Sequence, residues 1–255
     1  MAFETWAYTL GSVILVSLVS FIGILFISMR KKFLEKILLL LVSFAVGALV
    51  GDAFIHLLPK AIEEGAEPST FGAYALVGFM TFFVIEKVLR WQHRHLFSSH
   101  DHNMKSYTQP YVWMNLFGDG IHNFIDGAII AGSYMISIPL GITTTVAVLL
   151  HEGAQEMGDF AVLVKGGLSK MKALFFNFLS SLTAIVGALL TLMTGEGIDS
   201  LSSFLVPFTF AGFIYIALAN LIPELHHEEK PSQLVLQIIG VSAGIFVMAA
   251  LLMIE

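Results

Sequence analysis

The sequence predicts an all-α integral membrane protein of eight transmembrane helices, with both termini outside. Three observations carry that prediction. Of 255 residues, 56% are hydrophobic and 13% charged, about half the charged share of a water-soluble domain, and the mean hydropathy is +0.83. The apolar residues gather into eight runs, each long enough for the ~20 residues that a bilayer crossing needs. When those runs are threaded back and forth, 12 of the 13 Lys and Arg residues fall on one side.

The expected spans are 7–29, 35–58, 71–90, 111–136, 140–164, 172–194, 203–223 and 232–254, forming one membrane domain over 1–255. The first run follows Glu4 rather than Lys or Arg and is long enough to span, so it reads as a helix and not as a cleaved signal. Spans one, three, six and eight are apolar almost throughout, whereas spans two, four, five and seven carry polar residues inside. The connections are short except for 91–110, which contains His93, His95, His100 and His102 and leaves no room for a soluble domain. With the amino terminus outside, the inner connections hold Arg30, Lys31, Lys32, Lys36, Lys87, Arg90, Arg94, Lys105, Lys165, Lys170, Lys172 and Lys230, and only Lys60 lies outside. That is the asymmetry of the positive-inside rule. Span two closes on His56-Leu57-Leu58-Pro59 and span seven on Asn220-Leu221-Ile222-Pro223. The echo fits an inverted repeat, a common transporter plan, or simply a proline that ends each helix.

Composition narrows the chemistry. A net charge of −6 argues against nucleic acid, which needs clustered Lys and Arg. With no cysteine, any metal must be held by nitrogen and oxygen. Asp52, Asp119, Asp126, Glu152, Glu156 and Asp159 all fall inside expected spans. Each acid at the bilayer centre costs about 2.5–3.5 kcal/mol, and six together exceed the roughly 5–15 kcal/mol by which proteins are stable. They must face water, bind a cation or carry protons.

Residues three and four apart share a helix face. Asp119, His122, Asn123 and Asp126 therefore form one stripe on span four, and His151, Glu152, Gln155, Glu156 and Asp159 one on span five. Two such stripes are best satisfied facing each other around a shared cation. Imidazole with carboxylate suits zinc, iron or manganese, whereas oxygen alone suits magnesium or calcium. At about 1.5 Å per residue, Asp52 and His56 lie in the outer half as an entrance. His122, Asn123, Asp126, His151, Glu152 and Gln155 lie near the midplane. Asp119, Glu156 and Asp159 lie in the inner half, and Glu224, His226 and His227 at the inner mouth, as an exit. The path is thus lined by spans two, four, five and seven. The histidines of 91–110 read as a metal-accepting segment or as a solvated loop. A membrane-embedded metal-dependent hydrolase and a less selective cation channel are the competing classes. The zinc-protease pattern His-Glu-x-x-His is incomplete, because Gln155 stands where its second His would be.

The segments His122-Asn123-Phe124-Ile125-Asp126-Gly127 and His151 through Phe160, with Gly51-Asp52 to Pro59, resemble the ZIP (Zrt-, Irt-like) family of divalent metal transporters. The resemblance implies eight spans, both termini outside, transport toward the cytoplasm and a two-metal site between spans four and five. His122, Asp126, His151 and Gln155 would line one ion. Asn123, Glu152 and Gln155 would line the second, completed by Asn177. Zinc is then the expected substrate, with Fe2+, Mn2+ or Cd2+ as alternatives and no organic cofactor. The expected partners are the metal ion and the lipid bilayer, the expected location is the cell (plasma or inner) membrane, and a homodimer is admitted. Many members carry Pro and His where this chain has Ala154 and Gln155, so the bridging position and selectivity are where it departs from the family.

Overall fold

The computed structural model describes residues 3–26, 31–63, 65–96, 108–194, 199–226 and 231–252. Among them every regular element is helical, with no strand. Hydrocarbon offers no water to satisfy peptide groups, and a helix satisfies them within one segment.

Helix α1 (Phe3–Val19) tightens into a 3-10 stretch, Ser20–Phe26. Helix α2 (Lys31–Asp52) passes through a π-helical turn, Ala53–Leu57, into α3 (Leu58–Glu63). Next come α4 (Pro68–Leu96), α5 (Pro110–Ile136) and α6 (Ile138–Lys165). The sixth expected span is α7 (Lys170–Ser181) and α8 (Thr183–Thr194), interrupted at Leu182. There Thr183 Oγ1 donates to the carbonyls of Ser180 and Gly120, and hydroxyls bonded to backbone in this way compete with the helical ladder. Helix α9 (Asp199–Tyr215) leads through a second π-helical turn, Ile216–Leu221, into α10 (Ile222–His226), and α11 (Pro231–Leu251) closes the chain.

Among the described residues, six helical segments are long and apolar enough to cross a membrane: Phe3–Phe26, Ile37–Glu63, Pro68–Trp91, Lys170–Thr194, Ser203–His226 and Gln233–Leu251. Helices α5 and α6 are longer, at 27 and 28 residues, but their polar stripes lower their hydropathy. The prolines do not end their helices. Pro59 lies inside α3 and Pro223 inside α10. The widened π turn before each lets the chain continue, and proline near the start of a new helical segment lacks only an N–H that would have been unpaired there. Helix α4 also runs on to Leu96, so the expected connection 91–110 begins as helix. The side chains of His93 and His95, and all of His100, His102 and His227, lie outside the described residues.

The molecule is inside out relative to a water-soluble bundle. Leu76, Val77, Met80 and Val84 of α4 and Val235, Ile238, Ile239 and Phe246 of α11 are exposed, while Asp52, Asp119, His122, Glu152, Glu156 and Asp159 are buried. Helix α2 packs along α11, and α9 along α4. This exchange of partners is what a repeat of spans one to three onto spans six to eight produces. The two π turns hold the echoed residues, His56 and Asn220. Small residues set the close approaches, as is usual between membrane helices. A Cβ on Gly127 of α5 would stand 1.8 Å from the carbonyl oxygen of Ala184, and one on Gly187 of α8 would stand 2.0 Å from that of Phe124.

Candidate metal centre

The hinge between α5 and α6 is one residue, Ser137. Its extended backbone (φ −162°, ψ 152°) reverses the chain, its Oγ accepts from the Leu140 N–H, and Pro139 opens the helix behind it. Such an N-cap and early proline start a helix sharply. His122 lies 15 residues before Ser137 and His151 14 after it. Two helices of equal rise folded at that point bring the two polar stripes to one level.

There the side chains converge. His151 Nε2 lies 2.9 Å from Asp126 Oδ2 and 3.9 Å from Glu152 Oε1. His122 Nε2 lies 3.5 Å from both Asp126 Oδ2 and Glu152 Oε1. One possible ligand atom from each of His122, Asp126, His151 and Glu152 falls within 4.8 Å of the others, and all four residues are buried. A second group, Asp119, Glu152 and Glu156, meets the same condition. Glu152 belongs to both. Asp119 and Glu156, expected on the inner half of the path, therefore adjoin the midplane residues directly.

Span two reaches the same place. Asp52 Oδ2 lies 3.8 Å from His122 Nδ1, and Asp52 Oδ1 lies 3.2 Å from His56 Nδ1. The rings of His56 and His151 are 6.1 Å apart, and those of His122 and His151 5.5 Å. Phe213 of α9 covers the His122 ring at 5.2 Å. Asp52, His56, His122 and His151 thus form one run leading to the shared carboxylate.

Around the second group the partners are amides and a hydroxyl. Asn123 Nδ2 donates to Asp119 Oδ1 at 3.0 Å, Ser180 Oγ donates to Asp119 Oδ2, and Asn177 Nδ2 donates to Glu156 Oε2. Asn115 Nδ2 donates to Asp159 Oδ1 at 2.8 Å. Asn177 is thereby brought to Glu156, and Asn123 to Asp119. Gln155 is buried, and neither of its amide atoms has a hydrogen-bond partner among the described residues. The same holds for both Glu152 oxygens and both ring nitrogens of His122. Glu224 is half-buried and His226 exposed at the end of α10.

Sequence reasoning passed over Asn115, Ser180 and Phe213. Asn115 was findable, because it extends the 119, 122, 126 stripe by one helical turn. Ser180 lies one turn beyond Asn177 on α7 and carries no comparable signal. An apolar ring such as Phe213, placed on a histidine by tertiary packing, has none.

The comparisons with known proteins give the family. The family model for the ZIP zinc transporter matches residues 3–112 and 92–252. "Zinc transporter ZIP13" of Pongo abelii is 33% identical over 222 residues, covering 82% of this chain and 65% of that protein. "Zinc transporter SLC39A7" of Mus musculus is 30% identical over 341 residues, covering 98% and 70%. "Zinc transporter ZIP13 homolog" of Drosophila melanogaster is 28% identical over 320 residues, covering 98% and 90%. The chain thus spans about two thirds of the first of these relatives. All three are named transporters, not enzymes. This chain, with its buried histidine and carboxylate stripes on α5 and α6, belongs to the ZIP zinc transporter family.

Proposed function

We propose that the protein moves zinc across the membrane toward the cytoplasm through a two-metal centre between α5 and α6. The observation that supports this most is the sharing of Glu152 by two buried groups of potential ligands. Buried polar atoms without partners are costly, and here they gather at one place that a divalent cation would satisfy. In this reading His122, Asp126, His151 and Glu152 hold the first ion, and Asp119, Glu152 and Glu156 the second, with Asn123, Gln155 and Asn177 as amide donors. The two histidines make the first position the better zinc site, while the oxygen-only position binds zinc less tightly. Iron, manganese and cadmium would compete at the first position.

Asp52 and His56 receive the ion on the outer side, and Asp159, Glu224 and His226 pass it to the inner mouth. The reading keeps eight spans, both termini outside and a cell-membrane location. It rests for orientation on the one-sided placement of Lys and Arg. Because metal and protons compete for the same imidazoles and carboxylates, acidification weakens zinc capture. The hydrolase alternative loses ground to Gln155, which breaks the protease pattern, and to relatives that are named transporters.

The test is uptake of labelled zinc into proteoliposomes by wild type, Asp126→Ala and His151→Ala. Both variants should lose most of the uptake, and unlabelled zinc should compete better than magnesium or calcium. Uptake unchanged in both variants would remove this centre from the pathway.

A further inference from the structure

Among the described residues, one buried carboxylate, Glu86, lies outside the path. Glu86 is the sole acid of the Pro68–Trp91 segment. It is 8% exposed, on a helix whose other faces show Val77, Met80, Phe83, Val84 and Val88 to lipid. A carboxylate in such surroundings needs a partner on each oxygen, and both are present. Arg90 Nε donates to Oε1 at 2.6 Å, and Tyr215 Oη donates to Oε2 at 2.6 Å. The Arg90 side chain is half exposed, so its guanidinium meets Glu86 without being fully buried. Bonds of this length to an ionised group are the strong kind.

Tyr215 occupies a particular position. It is the last residue of α9, and the π-helical turn Ile216–Leu221 begins immediately after it. Its ring is wedged against Phe79 at 5.2 Å and lies 6.5 Å from Phe82. Two residues earlier, Phe213 covers His122. On the other side, Ile216 touches α5 one turn from His122, since a Cβ on Gly118 would lie 3.1 Å from Ile216 Cδ1. The residues that bracket Tyr215 are therefore those that press on α5 beside the metal centre.

We infer that Arg90, Glu86 and Tyr215 form a latch that fixes where the π turn of span seven begins and so holds Phe213 against the ligand His122. Glu86 and Tyr215 act through span seven and touch no ligand themselves, which makes them positioning residues. The inference rests on the zinc-transport reading. Loss of the latch removes no ligand but lets the His122 ring wander, so capture suffers before turnover does.

The experiment is zinc uptake into proteoliposomes by wild type, Tyr215→Phe, Glu86→Ala, Glu86→Gln and the Tyr215→Phe/Glu86→Ala double variant, with Asp126→Ala alongside. Thermal melts of each purified protein, with and without zinc, accompany it. Tyr215→Phe and Glu86→Ala should each raise KM by about three- to tenfold, a fraction of what one charge-assisted hydrogen bond is worth because the latch acts through span seven, and leave Vmax within about twofold. The double variant should be no worse than the singles, as members of one unit are not additive. Glu86→Gln, which keeps an acceptor for Tyr215, should recover much of the wild-type KM. The zinc-induced rise in melting temperature, a mass-action effect of binding, should shrink in Tyr215→Phe. The latch is refuted if KM and the zinc-induced rise stay at wild-type values, or if only the zinc-free melt and the amount of folded protein fall. Uptake that survives Asp126→Ala would instead defeat the transport reading, whatever the latch variants do.

Discussion

At Glu152 the two halves of the site meet, and single atoms decide what the centre can hold. Its carboxylate stands 3.5 Å from His122 and 3.9 Å from His151, with ligand atoms of Asp119 and Glu156 within 4.8 Å of it as well. A carboxylate has two oxygens and can accept on both, so it can serve one ion with each. The supporting bonds matter nearly as much. Ser180 donates to Asp119 and orients it, and outer partners of this sort are worth about 10–100-fold in metal affinity. Ser180→Ala should therefore weaken zinc binding by about tenfold at the low end of that range, read by isothermal titration, with little change in melting temperature. Unchanged affinity would mean that Asp119 needs no such partner. The ligand stripes were legible because helical spacing places 119, 122 and 126, and likewise 151, 152 and 155, on one face. The role of Ser180 was not, since a serine on an apolar span looks like any other small residue until the fold brings it beside an acid.

At the level of the helices, one hinge and two π turns set the site. The α5/α6 pair was foreseeable as two adjacent stripes, and the nearly equal distances of His122 and His151 from Ser137 explain why they meet. The π turns were not foreseeable. Sequence shows a proline at 59 and at 223, and it is packing that decides whether proline stops a helix or follows a widened turn within it. The closest backbone approach lies between α5 and α8, at Gly127 and Gly187. Gly127→Ala must push a carbonyl aside, and overpacking of this kind costs about 1–3 kcal/mol. Gly132→Ala on the same helix meets nothing within 4 Å. In detergent the first variant should melt several degrees lower, by the usual conversion of about 2–4 °C per kcal/mol for a chain of this size, and the second at the wild-type temperature. Equal melting temperatures would show that α5 and α8 do not pack this closely.

For the whole molecule, charge is the organising quantity. The net −6 is unevenly spread. Bases cluster on one side of the expected topology, while Glu63, Glu64, Glu67, Glu196 and Asp199 fall on the other. Glu67 is held below the usual carboxylate range because Ser69 donates to it from both its side chain and its backbone N–H. It therefore stays charged at that rim at neutral pH, and the small stability it lends α4 is lost only as the pH falls through its lowered pKa. The protein has no cysteine, so a single introduced thiol reports its own side. A cysteine replacing Ser69, near the turn at Gly65, should react with an impermeant maleimide from outside in intact cells. One replacing Gly167, in the turn after α6, should react only after permeabilisation. The opposite pattern would invert the topology and the direction of transport with it.

If two zinc positions share one carboxylate, equilibrium zinc binding to purified Glu152→Ala will reveal it. Wild type should bind two zinc ions per chain, and Glu152→Ala should lose affinity at both positions together while remaining folded. Two positions of undiminished affinity in Glu152→Ala, or the loss of one with the other untouched, would contradict a shared centre.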